Sequence, residues 1–244
     1  MIRFLLVATF VILFLVLSIP LLFIEWIIGK FNMDLKNKSS LAIVNWAFRV
    51  CLFLAGTSVT VIGEENVPKD VPVLYIGNHR SYFDILITYI RVPRPTGYIA
   101  KKEMLRYPLL SNWMKNLHCL FLDRKDIKQG LKTILTAIEK VKCGISICIF
   151  PEGTRNRVND TFMEFHEGSF KIAEKTGCPI IPMSINNSAQ IFEDHIPKIK
   201  KAHVVLEYGK PIYPAELSKE DRKHLGVYTQ NIIKETYFKN KELV

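Results

Sequence analysis

The sequence predicts an α/β fold: a largely parallel central sheet flanked by helices, preceded by an N-terminal hydrophobic helical segment at a membrane. Three observations predict it. Beyond Thr57, short apolar runs of strand length alternate with helix-length segments, the pattern of a parallel sheet covered on both faces. Two polar clusters, Asn78-His79-Arg80-Ser81-Tyr82-Phe83-Asp84 and Pro151-Glu152-Gly153-Thr154-Arg155, each follow such a run at once. In open α/β sheets ligands bind beyond the carboxyl ends of strands. Finally, Phe4 to Ile24 is apolar apart from Thr9, Ser18 and Pro20.

That N-terminal run is long enough, at about 1.5 Å per residue, to cross a hydrocarbon core of about 30 Å. A cleaved secretory leader with Arg3 as its charged region is the alternative, but the run is long and no small-x-small cleavage site follows. A spanning helix and a hairpin in the interface both fit, because Pro20 can kink the run and Ser40 to Ala55 supplies a second mostly apolar helix. Trp26 and Trp46 suit headgroup depth; if the first helix spans, Lys30, Lys36 and Lys38 outweigh Arg3 and the rest of the chain is expected in the cytosol. The expected organisation is therefore a membrane-associated helical segment over residues 1–57 and a catalytic domain over 58–244.

Within the second part the expected order is strand 58–63, strand 72–77, helix 83–91, strand 97–100, helix 108–116, strand 119–123 and helix 126–142. Strand 145–150, helix 168–176, strands 179–185 and 203–208 and helix 218–238 follow. Gly144, Gly177 and Gly209 fall where elements end, as helix caps or turns do.

Bulk composition narrows the partners. The 244 residues carry 33 basic and 23 acidic side chains, a net charge of +10, so an anionic surface or a phosphorylated substrate is favoured. The basic residues are dispersed and no nucleic-acid module is present, so nucleic acid is not expected. Five scattered cysteines form no CxxC pair and read as reduced packing residues. No metal-ligand spacing and no GxxxxGK[ST] loop occur, so neither a metal nor a nucleotide cofactor is expected.

His79 and Asp84 are five residues apart, about 140° around a helix, so they can meet only if His79 precedes the helix and Asp84 sits in its first turn. Asp84 would then orient the imidazole and leave its other nitrogen as a general base. The same spacing fits a capping box from Ser81 to Asp84 with His79 on a loop, and the residues alone leave both readings open. Gly153 permits a close turn, and Arg155 can fork onto a phosphate or carboxylate. Leu120-Phe121-Leu122-Asp123-Arg124 repeats the design. The expected result is an anion-binding crevice formed by three adjacent strand ends that also holds a base. No GxSxG elbow is present, so the attacking group is expected to come from the substrate.

Asn78-His79-xxxx-Asp84 followed by Phe150-Pro151-Glu152-Gly153-Thr154-Arg155 resembles the glycerolipid acyltransferase family, and the resemblance runs from about Val61 to Tyr213. It includes Ala100 to Met104, Leu122-Asp123-Arg124, Phe165 to Phe170 and Cys178 to Pro182. The resemblance implies an acyl-CoA or acyl-carrier-protein donor and the sn-2 hydroxyl of lysophosphatidate as acceptor. It further implies that His79 is the base and Asp84 its partner. By the same resemblance Glu152, Gly153, Thr154 and Arg155 form the acceptor's glycerol-phosphate site, and Arg124 helps bind phosphate. Lys101 is a candidate for the donor's phosphates. The chain departs from the family at His166-Glu167, where a basic residue often precedes the glycine. A thioesterase using the same base is the competing activity.

Overall fold

A computed structural model describes residues 1–244. Two apolar helices, α1 (Ile2–Leu17) and α2 (Ile19–Phe31), meet at a 48° bend. The bend has an identifiable cause: Pro20 lies in the first turn of α2, where a missing N–H costs nothing. Ser18, buried at the corner, accepts a hydrogen bond from Trp113 Nε1 at 2.8 Å. Helix α3 (Met33–Ala55) is capped by the Asn32 side chain, which accepts from Leu35 N. It ends at Gly56 in the left-handed conformation, φ 72°, the usual device for reversing out of a helix. Arg3 Nη1 donates to the Leu54 carbonyl at 3.1 Å, satisfying one of the acceptors that a helix end leaves open.

Helix α3 is long and apolar enough to cross a membrane, and α1 with α2 pass the same test as one bent span. Val44, Leu52 and Ala55 of α3 also belong to the protein core. Large apolar side chains of α1 and α2, including Leu5, Ile12, Leu13, Leu17 and Phe31, are exposed.

The remaining elements follow in chain order: β1 (Ser58–Ile62), β2 (Leu74–Gly77), α4 (Phe83–Tyr89), β3 (Thr96–Lys101), α5 (Pro108–Asn116), β4 (Leu120–Leu122), α6 (Ile127–Lys142) and β5 (Ser146–Ile149). Then come α7 (Lys171–Thr176), β6 (Ile180–Asn186), β7 (His203–Tyr208), α8 (Lys219–Lys223) and α9 (Leu225–Lys239). The seven strands form one sheet in the order β1-β7-β6-β2-β5-β3-β4. Every neighbouring pair is parallel except β6 with β7, so the expected mixed α/β architecture is present.

Side-chain alternation along the strands builds two cores. On β2, Tyr75 joins the layer under α3, α4 and α5, while Leu74 and Ile76 join the layer under α6, α7 and α9. On β5, Cys148 goes to the first layer and Ile147 and Ile149 to the second. Because both faces are covered, these strands are apolar in sequence except at Ser146, whose buried hydroxyl accepts from Val73 N at 3.1 Å.

Two elements differ from the expectation. The helix expected over 218–238 is broken at His224, whose φ of −116° and ψ of 42° are not helical. The break gives α9 a fresh N-terminus, and the Glu167 carboxylate accepts from Gly226 N at 3.1 and 3.2 Å there. A charged acceptor at a helix start is favoured. The helix expected from 168 begins as a 3₁₀ turn over Glu167–Phe170 before α7.

Candidate active site

The site is assembled beyond the carboxyl ends of β2, β5, β3 and β4. At the end of β2, the buried Asn78 amide exchanges two 2.9 Å bonds with the Ile185 backbone of β6, so the chain leaves the sheet at a fixed angle. His79 follows in the turn, and Asp84 lies in the first turn of α4. Their side chains meet: His79 Nδ1 is 2.8 Å from Asp84 Oδ2.

The same oxygen accepts from Arg80 N at 2.7 Å and Ser81 N at 2.8 Å. Ser81 Oγ in turn accepts from Phe83 N at 3.0 Å. Asp84 therefore closes the start of α4 and orients the imidazole at once; the two readings that the spacing left open coexist in one carboxylate. Its side chain is fully buried, 0% exposed, whereas His79 retains 15%. A carboxylate oxygen can only accept, and Oδ2 already accepts from two backbone N–H groups, so its contact with His79 places the imidazole proton on Nδ1. Nε2 is then the nitrogen with the lone pair. Phe150 stacks on the ring with centroids 4.4 Å apart and planes 15° from parallel, which fixes the remaining rotation.

The second motif clamps the backbone of the first. Glu152 Oε1 accepts from His79 N at 2.9 Å, and Asn156 N donates to the His79 carbonyl at 2.8 Å. The other Glu152 oxygen accepts from Met163 N at 3.1 Å. Burial is the main cause that pushes the Glu152 carboxyl above its ordinary value; the two backbone donors and His79 oppose that shift, and Asp84 adds to it. Gly153, at φ 72°, makes the turn that a side chain would strain. Arg124 comes close here: a Cβ placed on Gly153 would be 3.7 Å from the Arg124 guanidinium carbon. Burial pulls the Arg124 guanidinium down from its usual value, with Glu103 opposing. Thr154 is partly exposed beside them.

Arg155 is not a free solvent arginine. Its Nη1 donates to Glu193 Oε1 at 2.9 Å, and the guanidinium lies 3.6 Å from the Tyr82 ring centroid. Lys101, at the end of β3, is exposed, while its neighbour Lys102 pairs with Asp123 at 3.1 Å.

One expectation needs correction. The strand ends bearing His79, Arg155 and Arg124 are not three adjacent ones, because β3 lies between β5 and β4. Lys101 thereby enters the row between the two arginines. Glu193 was missed altogether: it follows β6 in the short 3₁₀ turn Glu193–His195, and its partners Ser81 and Tyr82 are more than a hundred residues away. No spacing signal reports such a contact.

An imidazole oriented by a buried carboxylate thus lies beside cationic side chains at the carboxyl edge of an α/β sheet. A family model described as Acyltransferase matches residues 58–186. The chain belongs to this acyltransferase family and is an acyltransferase enzyme. Among its relatives is a 1-acyl-sn-glycerol-3-phosphate acyltransferase of Borreliella burgdorferi, 33% identical over 76% of this chain and 74% of that one. The enzyme of the same description from Saccharomyces cerevisiae is 29% identical over 71% of this chain and 57% of that one. The fold matches the crystal structure of the 1-acyl-sn-glycerophosphate (LPA) acyltransferase PlsC from Thermotoga maritima. That match has a TM-score of 0.80 at 24% identity and covers 97% of this chain and 94% of that one.

Proposed function

We propose that the protein transfers a fatty acyl group from an acyl thioester, acyl-CoA or acyl-carrier protein, to the sn-2 hydroxyl of lysophosphatidate, giving phosphatidate. The observation that carries this reading is the pairing of His79 Nδ1 with Asp84 while no protein group bonds Nε2. Nε2 takes the hydroxyl proton as the acceptor oxygen attacks the thioester carbonyl. The tetrahedral adduct collapses, the carbon–sulfur bond breaks, and the imidazolium returns its proton to the departing thiolate. Asp84 stabilises the imidazolium between those two transfers.

Arg155 and Arg124 hold the acceptor's phosphate, the geometry in which arginine forks are strongest. Glu152 serves by pinning the His79 backbone, since both its oxygens are engaged by backbone donors. Gly153, with no side chain, lets its turn pass close to Arg124, Thr154 follows it in the acceptor site, and Lys101 faces the donor's phosphates. The exposed apolar side chains of α1 and α2 attach the protein to membrane lipid, where the acceptor's acyl chain resides. The lysines of α2 and α3 set the catalytic part on the cytosolic side.

The test is acyl transfer by purified protein in detergent, with each donor and with lysophosphatidate or glycerol 3-phosphate as acceptor. Phosphatidate formed from lysophosphatidate, and lost in folded His79→Ala, is the expected result. Free fatty acid released without acceptor would establish the thioesterase instead. A folded His79→Ala of near wild-type rate would overturn the base assignment.

A further inference from the structure

We infer that Glu193 is a positioning residue for the acceptor's phosphate, acting through Arg155; this rests on the reading that Arg155 binds that phosphate. One Glu193 oxygen accepts from Arg155 Nη1 at 2.9 Å and from Tyr82 N at 2.8 Å. The other accepts from Ser81 Oγ. A single carboxylate thus ties the arginine of the second motif to the turn of the first. With Nη1 on Glu193 and one guanidinium face against Tyr82, Arg155 is held in place while Nε and Nη2 remain unbonded to protein. A fork so oriented binds an anion without first losing rotamer freedom.

Glu193 is itself held. Ile191 is fully buried, and its carbonyl accepts from Lys200 N at 2.9 Å. Phe192 stacks on Phe4 of α1 with centroids 5.9 Å apart and planes 12° from parallel. His195 N donates to the Phe192 carbonyl at 2.9 Å. The Glu193 side chain is only 13% exposed, unlike a solvent-facing ion pair, which orders little.

A negative charge beside a phosphate site carries an electrostatic cost, so the sign of the effect separates two explanations. If Glu193 mattered only through charge, removing it would tighten the acceptor. If it matters by holding the guanidinium, removing it loosens the acceptor. The experiment compares Glu193→Ala, Glu193→Gln and Arg155→Ala, alone and with Glu193→Ala combined with Arg155→Ala, for kcat, acceptor KM and donor KM.

The expected result is a rise in acceptor KM for Glu193→Ala on the order of tenfold, the scale of one charge-assisted hydrogen bond, with kcat and donor KM within about twofold. Glu193→Gln, which keeps an oxygen for Nη1 and Tyr82 N, restores most of the acceptor KM. In the Arg155→Ala background, Glu193→Ala raises the acceptor KM no further, as coupling through one partner requires. An unchanged or lowered acceptor KM in Glu193→Ala, with Arg155→Ala raising it, overturns this inference alone. An unchanged acceptor KM in Arg155→Ala overturns the underlying assignment of Arg155. Should Glu193→Ala fail to fold, Glu193→Asp withdraws the carboxylate by one methylene and serves in the same comparisons.

Discussion

Replacing Asp84 by asparagine separates the two duties of that carboxylate. In the native site Oδ2 faces three N–H donors, while Oδ1 is buried with no partner. If the new amide oxygen takes the Oδ2 place, all three bonds survive and the NH₂ occupies the unpartnered Oδ1 place. That orientation costs about 1–3 kcal/mol for one buried unsatisfied group; the opposite one strands several donors and is disfavoured. The helix start therefore survives, and so does the fold. What is lost is the negative charge facing the imidazolium during proton transfer. We expect kcat to fall between about 10² and 10⁴-fold, the range over which an oriented base contributes. Asp84→Ala would confound this, because it strands the imidazole and two backbone N–H groups together. The assay is kcat at saturating donor and acceptor, beside a thermal melt followed by circular dichroism. A cooperatively folded Asp84→Asn with kcat within about threefold of wild type would refute the role given to Asp84.

Two further predictions concern stability. His118 is held neutral: Nε2 meets Asn37 Oδ1 at 2.9 Å and Nδ1 meets Lys140 Nζ at 3.3 Å. Burial, then Lys140 and Lys36, pull its pKa down to about 4. The unfolded chain takes up this proton near its ordinary value of about 6.5 and the folded chain does not. Stability is therefore lost as pH falls from that value to about 4. The ceiling is about 3 kcal/mol, reduced by solvent screening at this half-buried site. His118→Asn, which tolerates the φ of 60°, should show a shallower loss of denaturation midpoint between about pH 7 and pH 5; equal slopes would count against it. Deletion of residues 1–57 removes Val44, Leu52 and Ala55 from the core, and such losses cost about 2–5 kcal/mol for a single large side chain. The truncated protein should aggregate or melt far below the full chain, whereas a monomer with an unchanged melt would contradict the packing described.

The dyad was legible because strand, turn and helix start are local features, and five residues bridge them only in that arrangement. The sheet class was legible from alternation of strand and helix lengths, since β2 and β5 are covered on both faces and only Ser146, at the start of β5, interrupts their apolar runs. Strand order was not: nothing in the run from Thr96 to Lys101 reports that it inserts between β5 and β4. The engagement of Arg155 was equally hidden. A guanidinium in a Gly-Thr-Arg turn has the same sequence whether it faces water or Glu193, and the difference is made by a loop folded back from beyond β6. The break at His224 follows the same logic, because its compensation, Glu167, comes from a distant turn.

The pairing of β1 with β7 has a consequence for how the chain is made. Ser58 lies beside His203 in that ladder, so the first strand to emerge after the N-terminal apolar helices waits for the last. Until β7 is synthesised, β1 has no neighbour, and the core that Val204 and Leu206 share with Val44, Leu52 and Ala55 of α3 is incomplete. Such distant pairing is slow, because the loop must close before any contact repays it. The helices α1 and α2, whose backbone bonds are all local, can be complete while β1 still waits for β7, so the exposed apolar side chains they carry are presented before the sheet has closed.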